Sequence, residues 1–165
     1  MTADVEKKLQ KKAASLIARK AYSRGEMRLK LMKIADRAMV DAVLDRLEQL
    51  KLLNDADYAY NFAFYRANRE GWGPEKIKNA LLCRHVQSSD IEKALDRIRI
   101  LVGNDYGLSD YLKRYSAKRG LPVDTEGVRN FIKHLLRRGF CRNSILDALH
   151  RVLPSEIMKY FGTGD

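Results

Sequence analysis

Shifted against itself by 54 positions, the sequence keeps its apolar residues in place. Ile77, Leu81, Val86, Ile91, Ala94, Leu95 and Ile98 fall on Phe131, Leu135, Phe140, Ile145, Ala148, Leu149 and Val152. Shifted back by 50, Trp72, Ile77 and Leu81 fall on Tyr22, Met27 and Leu31; after a one-residue gap, Ile91, Leu95 and Ile98 fall on Val40, Leu44 and Leu47. Any two amphipathic helices align somewhere, but here two consecutive helices and their connection align together. Self-similarity at a fixed period marks a repeat protein, in which no unit buries its apolar face alone. The expected units are 1–53, 54–103 and 104–165, each of three helices. A unit of about 50 residues lies near the lower limit of independent stability. Neighbours are therefore expected to stack end to end into an all-α array, elongated and curved, with a long surface.

The local pattern is helical throughout. Val5, Leu9, Ala13, Leu16 and Ile17 recur at three- and four-residue spacing, with lysines around them. A second helix opens at Ser23, where Ser23 and Glu26 have capping-box spacing and Met27 and Leu31 supply the apolar face. Val40, Val43, Leu44, Leu47 and Leu50 mark a third. In the middle unit, Tyr58, Phe62 and Tyr65 mark a first helix ending near Gly71, and Gly73-Pro74 starts the next, with proline where its missing N–H costs nothing. Gly139 is placed to end the second helix of the last unit in left-handed geometry, and His85 occupies the matching position. Histidine tolerates that geometry better than most residues, so His85 reads first as a helix terminator. Tyr22 and Trp72 correspond under the repeat and are read as packing at helix corners, with base stacking as the alternative.

Charge narrows the partners. The chain carries 32 Lys and Arg against 21 Asp and Glu, a net +11. Residues 1–53 hold a surplus of six positive charges, residues 54–103 of one and residues 104–165 of four. A basic chain of this kind is drawn to nucleic acid, to an acidic protein surface, or to both. With 14 aromatic residues it is not a disordered polar chain. No stretch approaches the roughly 20 apolar residues needed to span a bilayer, and the N-terminal twelve residues lack the apolar segment of a secretory signal. Two cysteines, Cys83 and Cys141, make no disulfide framework, which fits a cytoplasmic protein. They are read as buried or partly buried thiols.

No catalytic constellation is found. His85, His134 and His150 lack zinc-ligand spacing. No phosphate-cradling glycine loop or nucleophile elbow occurs. Asp55 and Asp57 sit near a helix start and read as capping groups. An enzyme is not expected, nor a cofactor, nor a metal.

The ordered set Leu52-Leu53-Asn54-Asp55-Ala56-Asp57-Tyr58-Ala59, Phe62, Arg66, Gly73-Pro74-Glu75-Lys76-Ile77, Leu81, Val86 and Ile91 resembles the RecX family. So do Ala21-Tyr22-Ser23-Arg24-Gly25-Glu26-Met27 and Val43-Leu44-Asp45-Arg46-Leu47. RecX proteins are small bacterial regulators of the RecA recombinase, built from three tandem three-helix repeats. The resemblance implies a non-enzymatic protein that binds the groove of the RecA filament on single-stranded DNA. It would depress strand exchange, ATP hydrolysis and co-protease action in DNA repair and the SOS response. The sequence departs from the family pattern at Asn54, where aspartate is common, at His85, where glycine is common, and at Phe64-Tyr65, a stretch often more basic. Asn54 still suits a helix cap.

Candidate contact residues are Arg24 and Arg28 in the first unit, Arg66 and Arg69 in the second, and Arg114, Lys118, Lys133, Arg137, Arg138 and Arg142 in the third. Arginine's forked donors match phosphate or carboxylate better than lysine's point charge. For each, a structural role at a helix end or on a solvated face stands beside the contact role. Lys7, Lys8, Lys11 and Lys12 read as a solvated face. The expected partners are the RecA filament and, more weakly and electrostatically, single- and double-stranded DNA, with the protein itself a monomer. The competing reading is a helix-turn-helix-like protein that binds DNA directly through phosphates.

Overall fold

Residues 2–162 are described in the computed structural model of the chain. Their helices are α1 (Thr2–Ile17), α2 (Arg24–Leu31), α3 (Arg37–Gln49), α4 (Asp55–Asn68), α5 (Pro74–Leu82), α6 (Ser88–Val102), α7 (Leu108–Arg119), α8 (Thr125–Arg137), α9 (Arg142–His150) and α10 (Ser155–Met158). A 3-10 turn, Lys159–Phe161, follows. No strand occurs among the described residues, so the fold is all-α.

The helix ends follow local chemistry. At α2 the backbone N–H of Glu26 donates to Ser23 Oγ and the N–H of Ser23 donates to the Glu26 carboxylate, each at 3.1 Å, which closes the capping box. Asp36 and Asp124 cap α3 and α8 in the same sense, and Asn54 Oδ1 accepts from the N–H of Asp57. Pro74 is the first residue of α5. His85 and Gly139 both have left-handed backbones, with φ of 57° and 90°. Asp55 departs from the expected role: its carboxylate accepts from the backbone N–H of Arg24, 2.6 Å away, and so serves the start of α2.

Two compact units make up the chain. The first comprises the residues up to Phe62 together with Ala80–Ala94; the second comprises Ala63–Asn79 and the residues from Leu95 onward. In the first, Leu9, Ala13 and Leu16 of α1 close on Met27, Leu31, Val40, Val43 and Leu44 of α2 and α3. In the second, Leu108 and Leu112 of α7 close on Val128, Phe131, Ile132 and Leu135 of α8 and on Ile145, Leu146 and Leu149 of α9. Each fully buried leucine of this kind contributes about 1.5–3 kcal/mol relative to an exposed one.

Several positions differ from the sequence expectation. The buried seam of α4 is Ala59, Ala63 and Ala67, while Tyr65 is 56% exposed. The alanines fall at four-residue spacing and form one narrow stripe, and Tyr65 lies off it. Val152 lies beyond the end of α9 and is exposed; the N–H of Leu153 returns to the Leu149 carbonyl and buries Leu153 instead. Leu50, one residue past α3, is also exposed. Cys83 and Cys141 are exposed, not buried. Cys83 sits two residues past buried Leu81, which turns it to the opposite side of the helix end, and Cys141 is the residue that precedes α9.

One joint occurs twice. Within the first unit, Ser23 Oγ donates to the carbonyl of Arg84, and Gly25 lies so close to His85 that an added methyl group would collide with it. Within the second, the N–H of Gly73 donates to the carbonyl of Arg138 at 2.7 Å and the N–H of Glu75 to that of Gly139 at 3.1 Å. Ser23 and Gly73 are 50 positions apart, and Arg84 and Arg138 are 54 apart. These are the same shifts that align the apolar pattern.

Candidate functional site

The face of α7 that turns toward α8 is built from Tyr111, Arg114, Tyr115, Lys118 and Arg119. These follow the i, i+3, i+4, i+7, i+8 spacing of one helical face. With Arg69, Glu70 and Gly71 from the end of α4, and His134 and Arg138 from α8, they line a cavity of about 360 Å³ in the second unit. Five cations thus surround it against one carboxylate, and Glu70 is already ion-paired with Arg66.

Two of the arginines are held by neutral acceptors. Arg114 Nη1 donates to the carbonyl of Asn68 at 2.9 Å. Arg138 Nη1 donates to the carbonyls of Glu70 and Gly71, and its Nε donates to His134 Nε2 at 3.3 Å. The guanidinium of Arg138 also lies 4.7 Å from the centre of the Tyr111 ring. Carbonyls at a helix C-terminus attract cations but carry no full charge. Arg69, Lys118 and Arg119 form no ion pair among the described residues. The positive charge of the cavity is therefore uncompensated.

His134 lines the cavity, half-buried between rings. The Tyr111 hydroxyl is 2.8 Å from Nε2, and Tyr111, Tyr115 and Phe131 all flank the imidazole. Burial, followed by the charges of Arg138, Arg137 and Arg119, holds its pKa below the ordinary histidine value. Burial also pushes the Tyr111 phenol up, against the opposing charge of Arg138.

The other candidate residues are placed differently. In the first unit, Arg24 bridges Asp45 and Glu48 at 2.6 Å each, and Arg28 donates to Asp41 at 2.8 Å. The hydrogen bond from Arg28 is the largest influence holding the Asp41 carboxyl below its usual range, with the Arg28 charge adding to it. Arg66 pairs with Glu70 and lies over the Trp72 ring, 4.6 Å from its centre. Lys133, Arg137 and Arg142 are exposed and do not line the cavity. The structure thus brings Arg69, Arg114, Lys118 and Arg138 together. Sequence reasoning missed Tyr111, Tyr115, Arg119 and His134, although the spacing along α7 was present to be read. Tyr22 and Trp72 are half-buried at the helix corners, with Lys20 4.5 Å from the Tyr22 ring centre and Lys76 4.2 Å from that of Trp72.

No group of three or more His, Cys, Asp or Glu side chains able to hold a metal ion occurs among the described residues. No helix among them is long and apolar enough to cross a membrane.

The family model for the second three-helix domain of RecX matches residues 54–95. A regulatory protein RecX of Pseudomonas fluorescens is 34% identical over 147 residues, spanning 88% of this chain and 90% of that one. The chain belongs to the RecX family. A second RecX, from P. fluorescens strain SBW25, is 38% identical over 134 residues, covering 81% of this chain and 84% of its own length. The crystal structure of RecX from Lactobacillus salivarius superimposes with a TM-score of 0.78 at 20% identity, over 91% of this chain and 97% of that chain. Another crystal structure of a regulatory protein RecX gives 0.70 at 22% identity, over 87% and 70%. RecX proteins are regulatory proteins, and the all-helical fold is shared with them.

Proposed function

We propose that this chain regulates the RecA recombinase by binding the RecA filament on single-stranded DNA, depressing its ATP hydrolysis, strand exchange and co-protease action. Membership of the RecX family across most of the chain carries this reading. In the same reading the chain is a cytoplasmic monomer with no catalytic activity of its own. Its three-helix repeats are 1–53, 54–103 and 104–165, and it takes part in DNA repair and the SOS response. The uncompensated cations at Arg69, Arg114, Lys118 and Arg119 supply what a partner containing a polyanion requires. Arg24, Arg28 and Arg66 already hold carboxylates, so their part in contact is the smaller one. Lys133, Arg137 and Arg142 extend the basic surface of the last repeat.

The test is DNA-dependent ATP hydrolysis by RecA. Substoichiometric amounts of the folded protein are expected to suppress it. Unchanged hydrolysis with the protein in excess overturns the reading. The same cationic cavity favours a second reading, direct binding to DNA, and salt separates the two. Binding through 6–10 phosphate contacts alone loses roughly three to five decades of affinity between 50 and 200 mM salt. Filament binding is expected to lose less and to require RecA. Co-sedimentation with RecA filaments and with bare DNA across a salt series distinguishes them.

A further inference from the structure

We propose that the cavity between α7, α8 and the end of α4 is a binding site for a polyphosphate group, the diphosphate or triphosphate of a nucleotide or its free inorganic counterpart. This goes beyond the filament reading and does not depend on it.

Three observations carry the proposal. The first is charge density. Arg69, Arg114, Lys118, Arg119 and Arg138 line one cavity, and the single carboxylate there, Glu70, is paired to Arg66 outside the set. Elsewhere the fold pairs its arginines readily, as at Arg24 and Arg28. The second is preorganisation. Arg138 is fixed by two backbone carbonyls, by His134 and by the Tyr111 ring. A cation held this way loses little freedom when an anion arrives. The third is size. About 360 Å³ falls in the range of small-ligand pockets.

Charge matching selects the ligand. A nucleic-acid strand carries one negative charge per phosphate, and a cavity of this size admits about one nucleotide of it. An aspartate or glutamate side chain from a protein partner likewise brings one charge. A diphosphate or triphosphate brings several on adjacent phosphorus atoms, with oxygen acceptors that match the forked donors of arginine. The Tyr111 hydroxyl is engaged with His134 Nε2, so the donors that meet the anion are those of the five cations.

The experiment is calorimetric titration of the full chain, at constant ionic strength, with inorganic tripolyphosphate, pyrophosphate, ADP, a short oligothymidylate and a short polyglutamate peptide. Lys118→Ser with Arg119→Ser is the informative variant, because neither side chain forms an ion pair among the described residues. Lys133→Ser with Arg137→Ser is the charge-matched control outside the cavity. Tripolyphosphate is expected to bind at least about ten-fold more tightly than the oligonucleotide, and the first variant to lose about ten-fold while the control loses little. ADP binding as tightly as pyrophosphate or better assigns the group to a nucleotide; weaker ADP binding assigns it to the free anion. Equal losses in both variants, preference for the oligonucleotide or the peptide, or no polyphosphate binding overturns the proposal. Co-sedimentation with RecA filaments, run on the same proteins, tests the filament reading separately. Its failure beside intact polyphosphate binding unseats that reading alone.

Discussion

Arg138 donates its Nε–H to Nε2 of His134, one helical turn earlier and 3.3 Å away. An arginine has no lone pair to offer, so this nitrogen of His134 must be the acceptor. The imidazole is therefore neutral, with its proton on Nδ1, and the Tyr111 hydroxyl donates to the same nitrogen. Protonating His134 would set N–H against N–H and add a charge beside Arg137, Arg138 and Arg119.

A pH dependence of stability follows. The pKa of His134 in the folded chain is lowered, first by burial and then by those arginines. The unfolded chain takes up its proton from about pH 6.5 downward, ahead of the folded one. Stability is expected to be full above that value, to fall as the pH drops through it, and to level off below the folded pKa. Urea midpoints measured between neutral and mildly acidic pH give the slope. His134→Gln, which can still accept from Arg138, is expected to flatten it; an unchanged slope would place the titrating group elsewhere.

Arg138 is expected to resist conservative replacement. Lysine has no fork, so it cannot reach His134 and the Glu70 and Gly71 carbonyls together. Arg138→Lys is expected to cost about 2 kcal/mol in urea unfolding. Arg137→Lys, on an exposed side chain, is expected to stay within about 0.5 kcal/mol. Equal costs would show that the Arg138 network adds nothing.

Two glycines with positive φ separate strain from collision. Gly120 has φ of 73° with ψ of 161°, a region essentially confined to glycine, and open space where a methyl group would go, so Gly120→Ala bears backbone strain alone, about 1–3 kcal/mol. Gly139 has φ of 90°, and a methyl group there would meet the backbone and Cβ of Lys76. Gly139→Ala adds that collision to its strain and is expected to cost more, by about 1–3 kcal/mol. Thermal unfolding of the two variants ranks them; similar values would mean the joint can open at little cost.

Ser23 is fully buried and serves two partners, the N–H of Glu26 and the carbonyl of Arg84. Ser23→Ala is expected to lower stability by about 1–2 kcal/mol, the sum of a lost cap and a lost hydrogen bond. Glu26 also accepts from the Tyr58 hydroxyl at 3.2 Å, so the cap is tied to α4. Burial and the charge of Glu26 push the Tyr58 phenol up to about 12. In Glu26→Gln that charge is gone, and the Tyr58 titration, followed by its ultraviolet absorbance, is expected to move down. A phenol that titrates unchanged would mean Glu26 does not act on it.

What could be read from the sequence was whatever depends on near neighbours. The capping box at Ser23, the proline start of α5, the left-handed ends at His85 and Gly139, and the apolar stripes of α2, α3, α5, α6, α8 and α9 are all set within a few residues. Tyr65 misled because periodicity does not distinguish an aromatic stripe from an alanine stripe beside it. Alanine buries little area, yet it permits the closest helix approach. The cationic cavity was half legible. Arg114 and Lys118 stand out by charge, but their assembly with Arg69 depends on α4 ending where α7 passes, which no local pattern encodes.

The joint at Gly73 and Gly139 is made of peptide groups, and a peptide group is the same in every residue. What it demands of the surrounding sequence is little beyond the omission of a methyl group at two places. Lineages carrying such a seam are free to drift far apart in composition while their scaffold stays superimposable. Selection can then rework the solvent-facing arginines and aromatics without renegotiating how the parts fit.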